Sequence, residues 1–176
     1  LLQDYPGVSG EGKALFDAVI TTVRGNRPSL GSRLIEECAG MLSEPEDLMW
    51  MEAGSLGLSI ASDASIDSKT IAEEFLAKWG SGREETIGAV FEIGRLCSAM
   101  VVSEKRGRSD TWPSTIMRAQ GVFQAILDQT PGSKYAPESC WRSATYFDML
   151  NNTETALEYA QRLVAAWPGS EYAPGA

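Results

Sequence analysis

Histidine is absent from the 176-residue chain. Its absence excludes catalysis of the Ser-His-Asp and Cys-His types, and it excludes every metal site that needs an imidazole ligand. The remaining titratable side chains form no catalytic constellation. Adjacent carboxylates such as Glu36-Glu37 and Glu73-Glu74 point about 100° apart on a helix, so they do not converge on one substrate. We therefore expect a protein that is not an enzyme, with no catalytic residue, no metal and no cofactor.

Cysteine is scarce. Cys38, Cys97 and Cys140 are far apart, form no C-x-x-C pair and sit among apolar residues. This environment predicts buried structural thiols. The odd number favours a reducing compartment, although one disulfide remains open.

Positive charge is also in short supply, because 15 basic residues face 24 acidic ones and the net charge is −9. This balance argues against a nucleic-acid partner, which would call for a basic stripe, and it disfavours an anionic membrane surface. No apolar run approaches the roughly 18 residues of a membrane-spanning helix. The one dense basic segment, residues 105–108, is interpreted as a loop between helices or as a site for an acidic partner.

The chain begins with Leu1 and shows no signal peptide, so we expect a segment of a longer protein without its native targeting segment.

Apolar residues recur at helical spacing almost everywhere, and no segment shows the sustained alternation of a strand. Glycine, proline and the capping residues divide this pattern into segments. The sequence therefore predicts an all-α protein. Its eight helices are expected at residues 13–24, 29–42, 45–62, 68–79, 83–105, 113–129, 136–150 and 153–167.

A phrase repeats near the end of the chain. Pro-Gly-Ser-x-Tyr-Ala-Pro occupies residues 131–137 and again 168–174, an offset of 37 residues, and the opening LLQDYPG matches ILDQTPG at 126–132 in pattern. A period of this size is typical of helical repeats, in which each unit covers the apolar face of its neighbour. We expect one helical-repeat domain over residues 1–176. Its four two-helix units would lie at about residues 6–44, 45–80, 81–130 and 131–167.

The last two units resemble tetratricopeptide repeats. Ala119, Phe123 and Pro131 stand at the spacing of that family, and so do Ala156, Ala160 and Pro168, while Ala144 and Phe147 match the small and aromatic places of the first repeat helix. The sequence departs from the pattern where Cys140 holds the usual Trp place and Ser143 the usual Leu place. The resemblance covers about 70 residues. It implies a right-handed α-solenoid whose concave face binds a peptide or a partner protein.

The repeated phrase itself resembles repeats of bacterial cell-envelope proteins, notably outer-membrane assembly lipoproteins and the periplasmic coordinator associated with Tol–Pal. That likeness implies a periplasmic or cell-envelope location, with the cytoplasm as the alternative. The physics of the phrase also explains it without any envelope role. Pro ends one helix, Gly turns the chain, Ser caps the next helix, and Tyr packs into the junction.

The candidate binding site lies on the seventh helix. Trp141, Thr145 and Asp148 are spaced i, i+4, i+7, and Arg142 stands at their edge. By the resemblance, this face lines the concave groove, where Trp141 would anchor a partner. The alternative is that Trp141 packs between units.

We expect a non-catalytic scaffold that binds a protein or peptide. The alternatives are an accessory domain of a larger enzyme, or a small-molecule or carbohydrate module in which Trp112, Trp141 and Trp167 stack on the ligand.

Overall fold

The structure is a computed structural model that describes residues 10–106 and 110–173. These residues form eight α-helices and no strand, which confirms the all-α class. The helices are α1 (Glu11–Arg24), α2 (Pro28–Cys38), α3 (Pro45–Ser62), α4 (Ser68–Trp79), α5 (Glu84–Arg106), α6 (Trp112–Gln129), α7 (Ala136–Met149) and α8 (Thr153–Ala166). The opening phrase at residues 1–7 and the side chains of the basic segment 105–108 lie outside the described residues. Within the described part, no helix combines the length and the apolar character that crossing a membrane requires.

Local signals set many of the helix ends. A proline occupies the first turn of α2, α3, α6 and α7. Backbone amides in the first turn have no hydrogen-bond partner within the helix, so the N–H that proline lacks is not needed there. The side chains of Asp67 and Asn152 cap α4 and α8 by accepting hydrogen bonds from the amides of Thr70 and Thr155 at 3.2 and 3.3 Å. Glu44 holds the cap position of α3 although Ser43, a residue type preferred at that position, precedes it, and among the described residues Glu44 makes no side-chain cap bond.

In the turn after α1, the left-handed position is held by asparagine and not by the neighbouring glycine. Gly25 has a φ of −80°, whereas Asn26 adopts the left-handed conformation with a φ of 58°. Asn151 repeats this arrangement after α7, with the same φ of 58°. Asparagine tolerates the left-handed region because its short side chain bonds locally.

The helices pack around three that contact one another, namely α1, α3 and α5. Helix α6 packs on α5 and α4, α7 packs on α6, and α8 packs on α7. The expected pairs α1–α2, α5–α6 and α7–α8 are in direct contact. In the expected second unit, residues 45–80, α3 and α4 make little direct contact, because α3 lies against α1 and α5.

Helix α1 meets the start of α3 at unusually close range. The carboxylate of Asp47, only 4% exposed, accepts hydrogen bonds from the backbone amides of Gly10 and Gly12 at 3.3 and 2.9 Å. It thus satisfies amides at the N-terminus of α1 from another helix. A Cβ at Gly12 would lie 2.2 Å from the backbone oxygen of Asp47. Glycine is therefore required there by the approach of the two backbones.

The buried apolar side chains form two clusters. The first cluster runs from α1 to α6 and receives one buried residue from α7, Tyr146. The second cluster is small and joins α6, α7 and α8 through Leu127, Ala136, Cys140 and Leu163. All three cysteines are free; Cys97 and Cys140 are buried as expected, and Cys38 is half-buried.

The repeated phrase adopts the same turn both times. Thr130, before the first copy, has φ −138° and ψ 51°, and Trp167, before the second, has φ −134° and ψ 57°. Ser133 and Ser170 each donate their amide to the carbonyl three residues back, at 3.0 Å in both copies. Neither serine caps a helix through its side chain, contrary to expectation, since both hydroxyls are buried without a partner among the described residues. The turn is therefore held by its backbone.

Candidate functional site

The four predicted binding residues on α7 are placed differently from one another. Trp141, Arg142 and Thr145 are half-buried, and Asp148 is exposed in the last turn. The hydroxyl of Thr145 donates to the carbonyl of Trp141 at 3.0 Å, so it is already used within the helix. Arg142 points toward α5 and α6, whereas Trp141 packs on the second cluster. The predicted residues therefore share a helix but face two sets of neighbours.

Arg142 lies over aromatic rings from three helices. Its guanidinium carbon is 5.7 Å from the ring centre of Phe91 on α5, 5.8 Å from that of Phe123 on α6, and 5.9 Å from that of Trp141. A cation at this range is attracted to the negative face of a ring, and the attraction grows as water is removed. The Arg142 side chain is 22% exposed. The guanidinium is thus held on an aromatic base with one side open to solvent.

Glu138 holds Arg142 in this position. One carboxylate oxygen, Oε1, accepts from Nε of Arg142 at 2.9 Å and from Nη2 at 2.5 Å. The other oxygen, Oε2, accepts from the hydroxyl of Tyr172 at 3.0 Å. Partial burial and this bond to Glu138 raise the pKa of Tyr172 to about 12. Glu138 therefore links the arginine to the segment that follows α8.

Two tyrosines complete the base under Arg142. The ring of Tyr135 lies 5.1 Å from that of Phe91, and the ring of Tyr146 lies 6.1 Å from that of Phe123. The hydroxyl of Tyr146 bonds to the hydroxyl of Ser98 on α5, and burial raises its pKa. We call this group the aromatic–arginine cluster: Phe91, Phe123, Tyr135, Arg142 and Tyr146.

The tyrosine of the repeated phrase makes equivalent contacts in its two copies. Tyr135 lies on Phe91, with its hydroxyl 2.7 Å from where a Cβ of Gly88 would stand. Tyr172 lies on Trp141, with ring centres 5.6 Å apart, and its hydroxyl reaches Glu138. In both copies the two contacted residues are three apart on one helix. Tyr135 therefore packs back on α5, and Tyr172 packs back on α7 in the same way.

The three tryptophans proposed as a stacking set lie in two places. Trp112 packs on the first cluster, whereas Trp141 and Trp167 pack on the second. Trp141 is therefore partly engaged in packing, which was the alternative to a free anchor. Its half-buried state leaves part of the ring at the surface beside Arg142.

Sequence reasoning missed Glu138, Tyr172 and the rings beneath Arg142. The spacing of Glu138 and Arg142 is i, i+4, the spacing of a helical ion pair, so this partner was readable from the sequence. Tyr172 stood in the repeated phrase, but nothing local indicated which helix it would contact. The contribution of Phe91 depends on the packing of α5, which the sequence does not give.

Comparisons with protein-family models, with curated proteins and with solved structures find no match for this chain.

Proposed function

We propose that the protein is a non-catalytic scaffold that binds a peptide or a segment of another protein on the face between α5 and α7. The observation that carries the proposal is Arg142, held on aromatic rings by Glu138 and still partly open to solvent. Arginine and tryptophan are the residue types that most often dominate binding energy at protein interfaces. Here both are adjacent on one helix.

The charges on this face suit a peptide with both acidic and basic side chains. Glu84 pairs with Lys134 at 3.6 Å, Glu92 with Arg95 at 2.7 Å and Glu138 with Arg142 at 2.5 Å. The Glu138–Arg142 pair, in which each side chain is 22% exposed, holds the guanidinium in place before a partner arrives. Such pre-organisation lowers the entropy lost on binding and favours one register of the bound segment.

The repeat architecture supports the same function. The two equivalent turns and the two equivalent tyrosine contacts support the resemblance of the last units to tetratricopeptide repeats and a right-handed solenoid. In such arrays the first helix of each unit lines the binding face, which assigns this role to α5 and α7. By the likeness of the repeated phrase to bacterial cell-envelope repeats, we place the partner in the periplasm.

A peptide-display screen against the 176-residue protein tests the proposal, followed by titration of the selected peptide on variants. Trp141→Ala is expected to weaken binding by about tenfold or more. Trp167→Ala is the matched control, because Trp167 packs on the same second cluster but lies outside α7. It is expected to lower stability to a similar degree and to leave affinity nearly unchanged.

Equal losses of affinity in the two variants would show that Trp141 acts only through packing. Selection of a peptide that protects no amide of α5 or α7 from exchange would place the binding face elsewhere. Either result refutes the proposed face.

A further inference from the structure

A cleft opens between the N-terminus of α4 and the first half of α6. Its volume is about 410 Å³. The polar lining comes from Asp67, Ser68, Lys69, Ser114 and Arg118, and apolar surface comes from Ile66 and Met117. Its wall holds two cations, Lys69 and Arg118, and one carboxylate, Asp67.

Arg118 is the central residue of this cleft. It is only 8% exposed, and among the described residues it forms no ion pair with a carboxylate. Its Nη2 donates to the carbonyl of Ala61 and to the hydroxyl of Thr115, both at 2.8 Å, and its Nη1 lies 3.4 Å from the hydroxyl of Ser114. Nε is buried and has no partner among the described residues. Buried charges in proteins are normally paired with an opposite charge, so the guanidinium leaves a positive charge in the wall of the cleft that no carboxylate of the described residues neutralises directly.

The acidic groups nearby are occupied with other contacts. Asp63 is close enough for Arg118 to help lower its carboxyl pKa, but hydrogen bonds from Ser65 are the main cause of that shift. The carboxylate of Asp67 caps α4 by accepting from the amide and hydroxyl of Thr70 at 3.2 and 2.9 Å. Neither carboxylate therefore neutralises Arg118 through a hydrogen bond.

The N-terminus of α4 adds a second attraction for an anion. Aligned peptide dipoles leave partial positive charge at the first turn of a helix, where Ser68 and Lys69 stand. Helix α6 approaches this turn closely, since a Cβ at Gly121 would lie 2.3 Å from Oγ of Ser68. Lys69 pairs with Asp128 at 2.7 Å and with Glu73 at 3.7 Å, and its side chain remains 43% exposed.

From these contacts we infer that the cleft binds a small molecule through one oxyanion group, a phosphate or a carboxylate. The group sits between Arg118, Lys69 and the first turn of α4, and the remainder of the ligand lies on Ile66 and Met117. The guanidinium of Arg118, which lines the cleft, and the N-terminus of α4 attract the anion, and Lys69 supplies the second positive charge. This inference does not depend on the face between α5 and α7.

The test is a titration of the intact protein with inorganic phosphate at constant ionic strength, followed by amide NMR shifts. Saturable shifts are expected in the first turn of α4 and around Arg118. Lys69→Met is expected to weaken binding by about tenfold. Lys78→Met is the matched control, because Lys78 is on the same helix, pairs with Glu52 at 2.6 Å and lies outside the cleft. It removes the same charge and is expected to leave phosphate affinity within about twofold.

A parallel titration with acetate identifies the oxyanion. The anion with the higher affinity shows whether the cleft selects a phosphate or a carboxylate. Arg118→Lys keeps the charge but loses the planar guanidinium. If this variant folds, we expect it to weaken binding by about tenfold. If it does not fold, Lys69→Met alone tests whether the cleft binds the anion. The inference is overturned if neither anion gives saturable shifts in the cleft below about 50 mM. It is equally overturned if Lys69→Met and Lys78→Met weaken binding to the same extent.

Discussion

Replacing Gly12 by alanine tests the approach of α1 to α3 directly. The added Cβ would stand 2.2 Å from the backbone oxygen of Asp47, 2.4 Å from its Cα and 2.7 Å from its carbonyl carbon. All three are backbone atoms, which no side-chain rotation can move. The start of α1 must therefore shift away from α3, and the shift stretches the bonds from the amides of Gly10 and Gly12 to the Asp47 carboxylate.

The size of the effect follows from opposing contributions. Overpacking costs about 1–3 kcal/mol, and weakening a hydrogen bond to a buried carboxylate costs up to about 1.5–3 kcal/mol. The better helix propensity of alanine returns at most about 1 kcal/mol. We expect a net loss of about 2–4 kcal/mol in the free energy of unfolding.

Gly54→Ala is the matched control, because Gly54 is also helical and buried. A Cβ there meets only side-chain atoms of Ile35, Phe16 and Val19, at 3.5–4.0 Å. That is ordinary contact, so the substitution is expected to stabilise the protein by up to about 1 kcal/mol. The same chemical change thus has opposite signs at two buried helical glycines.

Urea unfolding followed by far-UV circular dichroism measures both variants. With an m-value of about 2 kcal/mol/M, Gly12→Ala should lower the midpoint by about 1–2 M, and Gly54→Ala should raise it by up to about 0.5 M. A Gly12→Ala protein within about 0.5 kcal/mol of the parent would refute the proposed backbone contact. Equal damage from the two substitutions would refute it as well.

Three further predictions concern buried side chains. Ala119 is fully buried on α6, so Ala119→Trp should lower the free energy of unfolding by about 1–3 kcal/mol or more. Ala77 of α4 is exposed and serves as the control. Ala77→Trp should cost under about 1 kcal/mol in the same urea experiment. Burial raises the pKa of Cys97 to about 12 and that of Cys140 to about 11. At pH 8 a thiol reagent should therefore label Cys38 first, and it should label Cys97 and Cys140 only when the protein unfolds. Because the folded pKa values lie above the unfolded value of about 8.5, the stabilisation from these thiols is complete below about pH 8.5 and is lost as pH rises toward 11–12. A flat free energy of unfolding between pH 8 and 11 would contradict that burial.

The helix boundaries were largely predictable because their signals are local. α5 was expected at 83–105 and spans Glu84–Arg106, and α3 was predicted correctly from Pro45 to Ser62. The end of α2 was missed, since the apolar spacing included Leu42 although the helix ends at Cys38. Leu42 is buried, but from the turn after the helix. Apolar periodicity indicates which residues are buried, and a residue can be buried without lying in a helix.

Contacts between distant helices were not predictable from the sequence. Asp47 lies in the first turn of α3, where a negative charge suits the positive end of its own helix, but its carboxylate accepts hydrogen bonds from amides of α1. Gly54 and Gly57 both stand inside α3, where glycine costs about 1 kcal/mol relative to alanine, so the sequence predicts close backbone packing at both. The structure leaves room at Gly54 and places Leu96 within 3.1 Å of a Cβ at Gly57. At the candidate site, the sequence indicated the face of α7, but the rings beneath Arg142 come from helices whose packing no local pattern specifies.

The small second cluster predicts that the last two helices are less stable than the rest of the molecule. Among the described residues, α8 contributes no buried side chain to the first cluster and α7 contributes one, Tyr146, so we expect these two helices to open together while α1 to α6 stay folded. Such an opening needs less free energy than global unfolding, and native-state hydrogen exchange would detect it as faster exchange in α7 and α8. A partner bound between α5 and α7 must be released before α7 opens. Binding would therefore slow amide exchange in α8, a helix that the partner does not touch, and the magnitude of that slowing would report the affinity.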